Sequence, residues 1–326
     1  VTTPTVVPST NPATALLLAR VSRSTTWLLL ALAIGLSAVL QPDFFSAYSI
    51  ASSFSGFLPL VLLAVGQAVV IIGGGLDLSL GASLGLASVV GLLVMDGQDG
   101  RLPLGILAAL ATGLACGLVN GLIVAVVRLQ PLITTFATAS IFTGATLWVL
   151  PKPGGTVPAA LTTSFRMAIA GLPVTLLLTL LLGLSWLLLR RTRFMRHVYA
   201  IGGDVQASYA SLVPVTRTQI STYAFAGTFA GLAAVAVLAN SGSGDPYVGG
   251  DFALNSVAAV VIGGVALRGG EGGAIGAIAG AVVLSLVSSI LFFLGIPTTY
   301  RQLAQGLVVI GALALSALSA RGQEAA

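Results

Sequence analysis

Apolar residues in this chain fall in long blocks and do not alternate with polar ones. Ten such blocks run over about 26–41, 55–74, 79–95, 104–127, 132–150, 171–189, 218–239, 253–267, 274–294 and 303–320. A helix needs about 20 apolar residues to cross the hydrocarbon of a bilayer, and most of these blocks approach that length. A membrane barrel would instead show a period of two. The pattern therefore predicts an all-α membrane protein, a polytopic bundle of about ten transmembrane helices. The weakest blocks are 55–74, interrupted by Pro59, and the short 253–267. Glycines recur four apart within blocks, as Gly81/Gly85, Gly113/Gly117/Gly121, Gly227/Gly231 and Gly276/Gly280. That spacing lets helix backbones approach closely in lipid.

Composition agrees. Of 326 residues, 56% are hydrophobic and 7% charged, with a mean hydropathy of +1.05, against about 25% charged in soluble domains. Charge also orients the blocks. With the N-terminus in the cytoplasm, the inner connections hold Arg20, Arg23, Arg128, Arg190, Arg191, Arg193, Arg196, Arg217, Arg268 and Arg321, and the outer ones only Arg101, Lys152, Arg166 and Arg301. This asymmetry follows the positive-inside rule. It predicts a multi-pass protein of the bacterial cytoplasmic (inner) membrane with both termini cytoplasmic. Residues 1–24 read as a flexible cytoplasmic tail, 25–320 as the transmembrane domain and 321–326 as a short cytoplasmic end. The net charge of +5 is dispersed among connections, so it marks topology and predicts no nucleic-acid partner.

The rare residues exclude whole classes of chemistry. There is one cysteine (Cys116), one histidine (His197) and one lysine (Lys152). No intrachain disulfide and no Cys/His metal site can form from these. A P-loop needs Gly-Lys-Ser/Thr, whereas Lys152 lies between two prolines. The chain is predicted not to be an enzyme, with no catalytic residue, cofactor or metal.

Asp77 stands out against this background, in Gly73-Gly74-Gly75-Leu76-Asp77-Leu78-Ser79-Leu80-Gly81, with apolar sequence on both sides. An ionised carboxylate at bilayer depth is unfavourable by about 2.5–3.5 kcal/mol on insertion scales. The glycines allow the helix to break there, as transport proteins do at their pathways. Alternatively, Asp77 caps the helix that follows. Asp77, Ser79, Asn120 and Thr135 are the candidates for lining a path or holding the broken helix. For Asn120 and Thr135, plain interhelical hydrogen bonding is an equal alternative.

The longest inner connection is 190–217. Its first part is basic, Gly202-Gly203 breaks it, and Asp204 is placed to cap a short helix that ends before Pro214. Such a helix on the inner face, with Tyr209 and Gln206 exposed, suits a cytosolic partner. A basic loop that fixes topology and binds acidic membrane lipids is the other reading. A faint repeat links Ala68-Val69-Val70-Ile71-Ile72-Gly73-Gly74 with Ala259-Val260-Val261-Ile262-Gly263-Gly264, and the restart at Pro131 with that at Pro297. Inverted halves of the kind many transporters have are one explanation, and chance likeness of Val/Gly-rich segments is the other.

Gly74-Gly75-Leu76-Asp77-Leu78-Ser79-Leu80-Gly81 resembles the Gly-Gly-Ile-Asp-Leu-Ser-Val-Gly signature of sugar-importing ABC transporter permeases of the ribose/xylose/autoinducer-2 group. Further blocks match in order: Asn120-Gly121-Leu122-Ile123-Val124 with Gln130-Pro131-Leu132-Ile133-Thr134-Thr135; Arg191-Thr192-Arg193-Phe194 with Val198-Tyr199-Ala200-Ile201-Gly202-Gly203; and Ala258-Ala259-Val260-Val261-Ile262-Gly263-Gly264 with Gly269-Gly270-Glu271-Gly272. The resemblance implies a permease subunit of an importer. Its partners would be a cytosolic ATP-binding-cassette ATPase, a periplasmic or lipid-anchored sugar-binding protein, and a second permease copy or a related chain. It also implies a coupling helix after the sixth span, with Tyr199, Gly202, Gly203, Asp204, Gln206, Ala207, Tyr209 and Ala210 at or near the ATPase contact. Two departures are visible. Tyr209 and Leu212 stand where the family usually has Arg and Gly, and Ala253-Leu254-Asn255-Ser256-Val257 lacks a usual acidic residue. Related permeases for nucleosides or branched-chain amino acids are the nearest alternative, and an ion-coupled secondary transporter a more distant one.

Overall fold

The computed structural model describes residues 12–297 and positions 300, 303, 306, 307 and 311, with side chains from Thr25 onward. The terminal tails and most of the predicted block 303–320 lie outside the described residues. The chain is mostly helical. Five helical stretches are long and apolar enough to cross a membrane. These are α2 (Ala47–Ile72), α4 (Leu102–Leu122) with the turns flanking it, α5 (Pro131–Val149), α10 (Val215–Ser241) and α12 (Ala274–Phe293). A sixth exists if α7 (Val174–Leu189) and α8 (Arg193–Gly203) count together, although they are bent by 78°. The first, third and eighth predicted blocks form shorter apolar helices: α1 (Pro12–Leu40), whose fully described part starts at Thr25, α3 (Leu80–Met95) and α11 (Phe252–Ile262). Ten full-length spans are therefore not met among the described residues. At 1.5 Å per residue, α11 rises only about 16 Å, roughly half the hydrocarbon thickness.

Two stretches of the sequence hide more structure than their apolar pattern shows. A short helix, α6 (Ala159–Arg166), and a two-residue antiparallel hairpin, β1 (Ala168–Ile169) with β2 (Leu172–Pro173), precede α7. The turn residues Ala170 and Gly171 both have positive φ, as the tightest hairpins require. The basic connection divides into α8 and the six-residue α9 (Val205–Ala210).

The centre of the bundle is α2, buried almost throughout. It begins at residue 47, not near 55, because Ser46 caps it by accepting the Ser49 N–H at 3.1 Å. Pro59 is accommodated inside the helix, and Ser55 one turn earlier turns its hydroxyl back to the Ala51 carbonyl at 2.7 Å. On one side α10 packs against α4 through the glycine stripes. A Cβ added to Gly113 would strike the backbone of Gly227 and Gly231, and one added to Gly117 would strike Tyr223. On another side, Gly276 and Gly280 of α12 lie flush against Gly263 and Ala259. Gly81 of α3 meets Gly249 and Ala253, which places the start of α11 beside the start of α3.

The two segments of the faint repeat end in matching ways. After α2, the N–H of Gly74 reaches the Ile71 carbonyl and that of Gly75 the Val70 carbonyl, at 2.9 and 3.0 Å. After α11, Gly264 bonds to Val261 and Val265 to Val260, at 2.9 and 3.2 Å. Gly74 and Gly264 carry φ of 78° and 76°, a left-handed turn that glycine adopts without penalty. The ends also lie together, since the Gly270 N–H after α11 donates to the Ile72 carbonyl of α2 at 2.8 Å. The C-terminal ends of the two segments therefore meet.

Candidate functional site: a pinned helix break, an exposed short helix and a hydroxyl-lined groove

Gly75 passes so close to Tyr223 that an added Cβ would stand 2.6 Å from the phenol oxygen. The chain then turns inward and delivers Asp77, which is fully buried. Asp77 Oδ1 accepts from the Ser79 N–H at 2.8 Å and from the Ser79 hydroxyl at 2.7 Å. Asn120 of α4 donates from Nδ2 to Ser79 Oγ at 2.6 Å and accepts the Thr138 hydroxyl of α5 at 2.6 Å. Thr135 Oγ1 accepts the Leu78 N–H at 3.1 Å and lies 3.2 Å from the Leu76 carbonyl and 3.0 Å from that of Pro131. Asp77, Ser79, Asn120 and Thr135 thus come together in one buried network that ties the break to α4 and α5.

Thr138 belongs to this network and was not singled out from the sequence. Its signal was available, because it lies one turn after Thr135 on the same face of α5. None of the four predicted residues lines the larger cavities. No group of three or more His, Cys, Asp or Glu able to hold a metal occurs among the described residues.

Asn120→Ala removes both arms of this network at once and leaves the buried Thr138 hydroxyl only its longer bond to the Thr135 carbonyl, at 3.2 Å. Each buried polar group left unsatisfied costs about 1–3 kcal/mol. A clearly lower melting temperature in detergent is expected, and also for Thr138→Val, which leaves the buried Asn120 Oδ1 without its donor. Parent-like melting of both variants would show that the network does not hold the break.

The second element is the connection after α7. Thr192 caps α8 by accepting the Met195 N–H, and Met195, Val198 and Ile201 turn inward. Tyr199 donates its hydroxyl to the Gly272 carbonyl at 2.7 Å. Gly202 packs its Cα directly on the Ile72 carbonyl and the Gly270 backbone, leaving no room for a side chain, whereas Gly203 faces open space. Asp204 caps α9 by accepting the N–H groups of Gln206 and Ala207 at 2.7 and 3.0 Å. On α9, Ser208 turns inward while Gln206, Ala207, Tyr209 and Ala210 are exposed. Leu212 follows at 91% exposure. The eight coupling candidates therefore divide: Tyr199 and Gly202 hold the connection against the bundle, and Gln206, Ala207, Tyr209 and Ala210 face outward. A cavity of about 970 Å³ lies beside α9, with Arg128, Gln130 and Arg217 among its lining residues.

A third feature lies toward the opposite ends of α2 and α12. A groove of about 550 Å³ runs between α2, α11 and α12, lined by serines of α2 and α12 together with Asn255 and phenylalanines. The apolar pattern does not reveal it, because the serines before residue 55 look like a flank outside the helix.

Similarity to known proteins identifies the class of this chain. Residues 49–313 match the family described as the permease component of branched-chain amino acid transport systems, and the chain belongs to that family. Among its relatives are proteins named autoinducer 2 import system permease protein LsrD. The one from Salmonella paratyphi A is 30% identical over 281 residues, covering 83% of this chain and 84% of the relative. Those from Escherichia coli K12 and Shigella flexneri are 31% identical over 267 residues, covering 79% of this chain and 80% of each relative. No solved structure matches the chain.

Proposed function

We propose that this chain is the membrane permease subunit of an ATP-binding-cassette importer for a sugar or sugar-like solute. The observation that carries this reading is the similarity, over about four-fifths of both chains, to permeases named for autoinducer 2 import. Two permease chains, identical or related, form the path. A cytosolic ATPase drives it, and a periplasmic or lipid-anchored binding protein delivers the solute. The chain crosses the inner membrane ten times: five full-length stretches, α7, the three shorter helices completed by their flanking segments, and the block 303–320. Both termini are cytoplasmic, and so are the α2–α3 break and α9. On that orientation α9 is the coupling helix, and Gln206, Ala207, Tyr209 and Ala210 meet the ATPase. Asp77, Ser79, Asn120 and Thr135 act at the path by holding its broken helix in place.

A permease for branched-chain amino acids is the second reading, favoured by the description of the family itself. Uptake separates the two. Cells lacking their own pentose and leucine transporters, supplied with this chain and its cognate ATPase and binding protein, are expected to import a labelled sugar and not labelled leucine. Purified alone, the chain is expected to hydrolyse no ATP, because its single lysine has no P-loop around it. Turnover by the isolated, ATPase-free chain would overturn the permease reading.

A further inference from the structure

The serines that line the groove are spaced as single faces of their helices. On α2, Ser49, Ser52, Ser53 and Gly56 recur at intervals of three and four, and on α12 Ser285, Ser288 and Ser289 do the same. The two stripes face each other across Asn255 at the start of α11. A lone serine in a membrane helix means little, because its hydroxyl can bond to its own helix, as that of Ser288 does to the Leu284 carbonyl at 3.0 Å. Two hydroxyl stripes turned toward one shared, open groove are different. Ser52 and Gly56 are exposed and Ser285, Ser289 and Asn255 are half-buried. Hydrocarbon offers such groups nothing to bond with, so a polar face on membrane helices marks contact with water or with a polar solute.

Depth fits a pathway. The groove runs from Gln41 and Phe293, near the ends of α1 and α12, down to Leu60, Leu284 and Asn255. Residue 60 is the midpoint of the 26-residue α2. The groove therefore descends from one end of the bundle to its middle and stops where the half-length α11 begins. Its chemistry is equally specific. Among the described residues, no Asp, Glu, Lys, Arg or His lines it. Hydroxyls and an amide can both donate to and accept from the hydroxyls of a solute, and Phe252 and Phe292 add aromatic surface to the wall. A zwitterion would find no counter-charge among these described lining residues.

Resting on the importer reading above, we infer that this groove is the outer, water-filled half of the path contributed by this chain, open toward the second permease subunit, and that its solute is neutral and polyhydroxylated. Gly56 lies on the groove wall, and a Cβ added there would meet nothing within 4 Å.

The test has two arms. In a Cys116→Ala background, Ser52→Cys, Ser285→Cys and Ser289→Cys are exposed on whole cells to a charged, impermeant methanethiosulfonate. They are expected to react about tenfold or more faster than Leu180→Cys, an exposed position on the apolar flank of α7, since only a hydrated thiol ionises readily. In the second arm, Gly56→Trp is expected to lower uptake of labelled D-ribose or D-xylose about tenfold or more, a loss that corresponds to blocked passage. Its elution profile and co-purification with the ATPase should be unchanged. Gly144→Trp, also with open space at its Cβ, should import normally.

Thiols that react no faster than Leu180→Cys would show the groove covered by lipid or by the C-terminal segment, and would overturn the inference. So would unaltered uptake in Gly56→Trp, or import of L-leucine in place of both pentoses. If the wild-type assembly carries no probe with ATP present, the importer reading fails and the solute assignment with it. A wild type that imports while Gly56→Trp imports equally counts against the groove alone.

Discussion

Gly117→Leu is expected to leave almost no folded protein in the membrane. At this position α4 and α10 touch backbone to backbone, and a single Cβ would land on the Tyr223 carbonyl. Overpacking a core ordinarily costs about 1–3 kcal/mol because side chains can shift. Here the obstacle is main chain in a second helix, so the two helices must separate. Separation removes the neighbouring contacts of Gly113 with Gly227 and of Gly121 with Ile220 as well. Lipid supplies no hydrophobic drive to bring the helices back together, since close packing is itself a main source of their affinity. The measurement is the yield of monodisperse protein after mild detergent extraction, with Gly144→Leu as the control because its side chain would meet nothing within 4 Å. Equal yields for the two variants would show that the α4–α10 contact does not organise the bundle.

Replacing Ala207 and Ala210 together by Arg is expected to abolish import while leaving the permease inserted and monodisperse. Both alanines are exposed on α9, so the bundle loses no packing. If α9 seats in an ATPase groove, two guanidinium groups must be buried there without partners. Such a change in a buried contact is worth on the order of 2–5 kcal/mol, enough to release the ATPase during purification. The readouts are co-purification of the ATPase and uptake of labelled sugar. Retention of both would make the connection a topology signal and place coupling elsewhere.

Much of the architecture is legible in the amino-acid sequence, and the reasons differ by element. The block pattern locates nine helices because membrane helices must be apolar along their length. The glycine stripes locate the tight contacts, because in lipid only small residues permit them. Asp204 is legible as a cap, because a short polar side chain before a helix has one common use. The helix starts are less legible. Ser49, Ser52 and Ser53 read as an aqueous flank, since hydropathy cannot tell polar residues beyond the membrane from polar residues facing a groove within it. The groove itself escapes notice for the same reason. The half-length of α11 is hidden by continuous apolar sequence through Ala266, because burial inside a bundle and burial in lipid select the same side chains. In the sequence Gly202 is visible only as half of a break. Its role as a contact depends on Ile72 and Gly270, both distant in the chain.

That contact has a mechanical consequence. Where two parts of a protein meet through long side chains, a small displacement is absorbed as the side chains change rotamer, and little of it is passed on. Gly202, Ile72 and Gly270 meet through main chain alone. Main chain has no side-chain rotamers to absorb a displacement, and here it is also tied by the Gly270 N–H to the Ile72 carbonyl. The joint between α8 and the end of α2 therefore has no side chains to take up slack. If α9 is where a partner seats, a small displacement of α8 would be passed to the foot of the 26-residue central helix with little taken up by side chains.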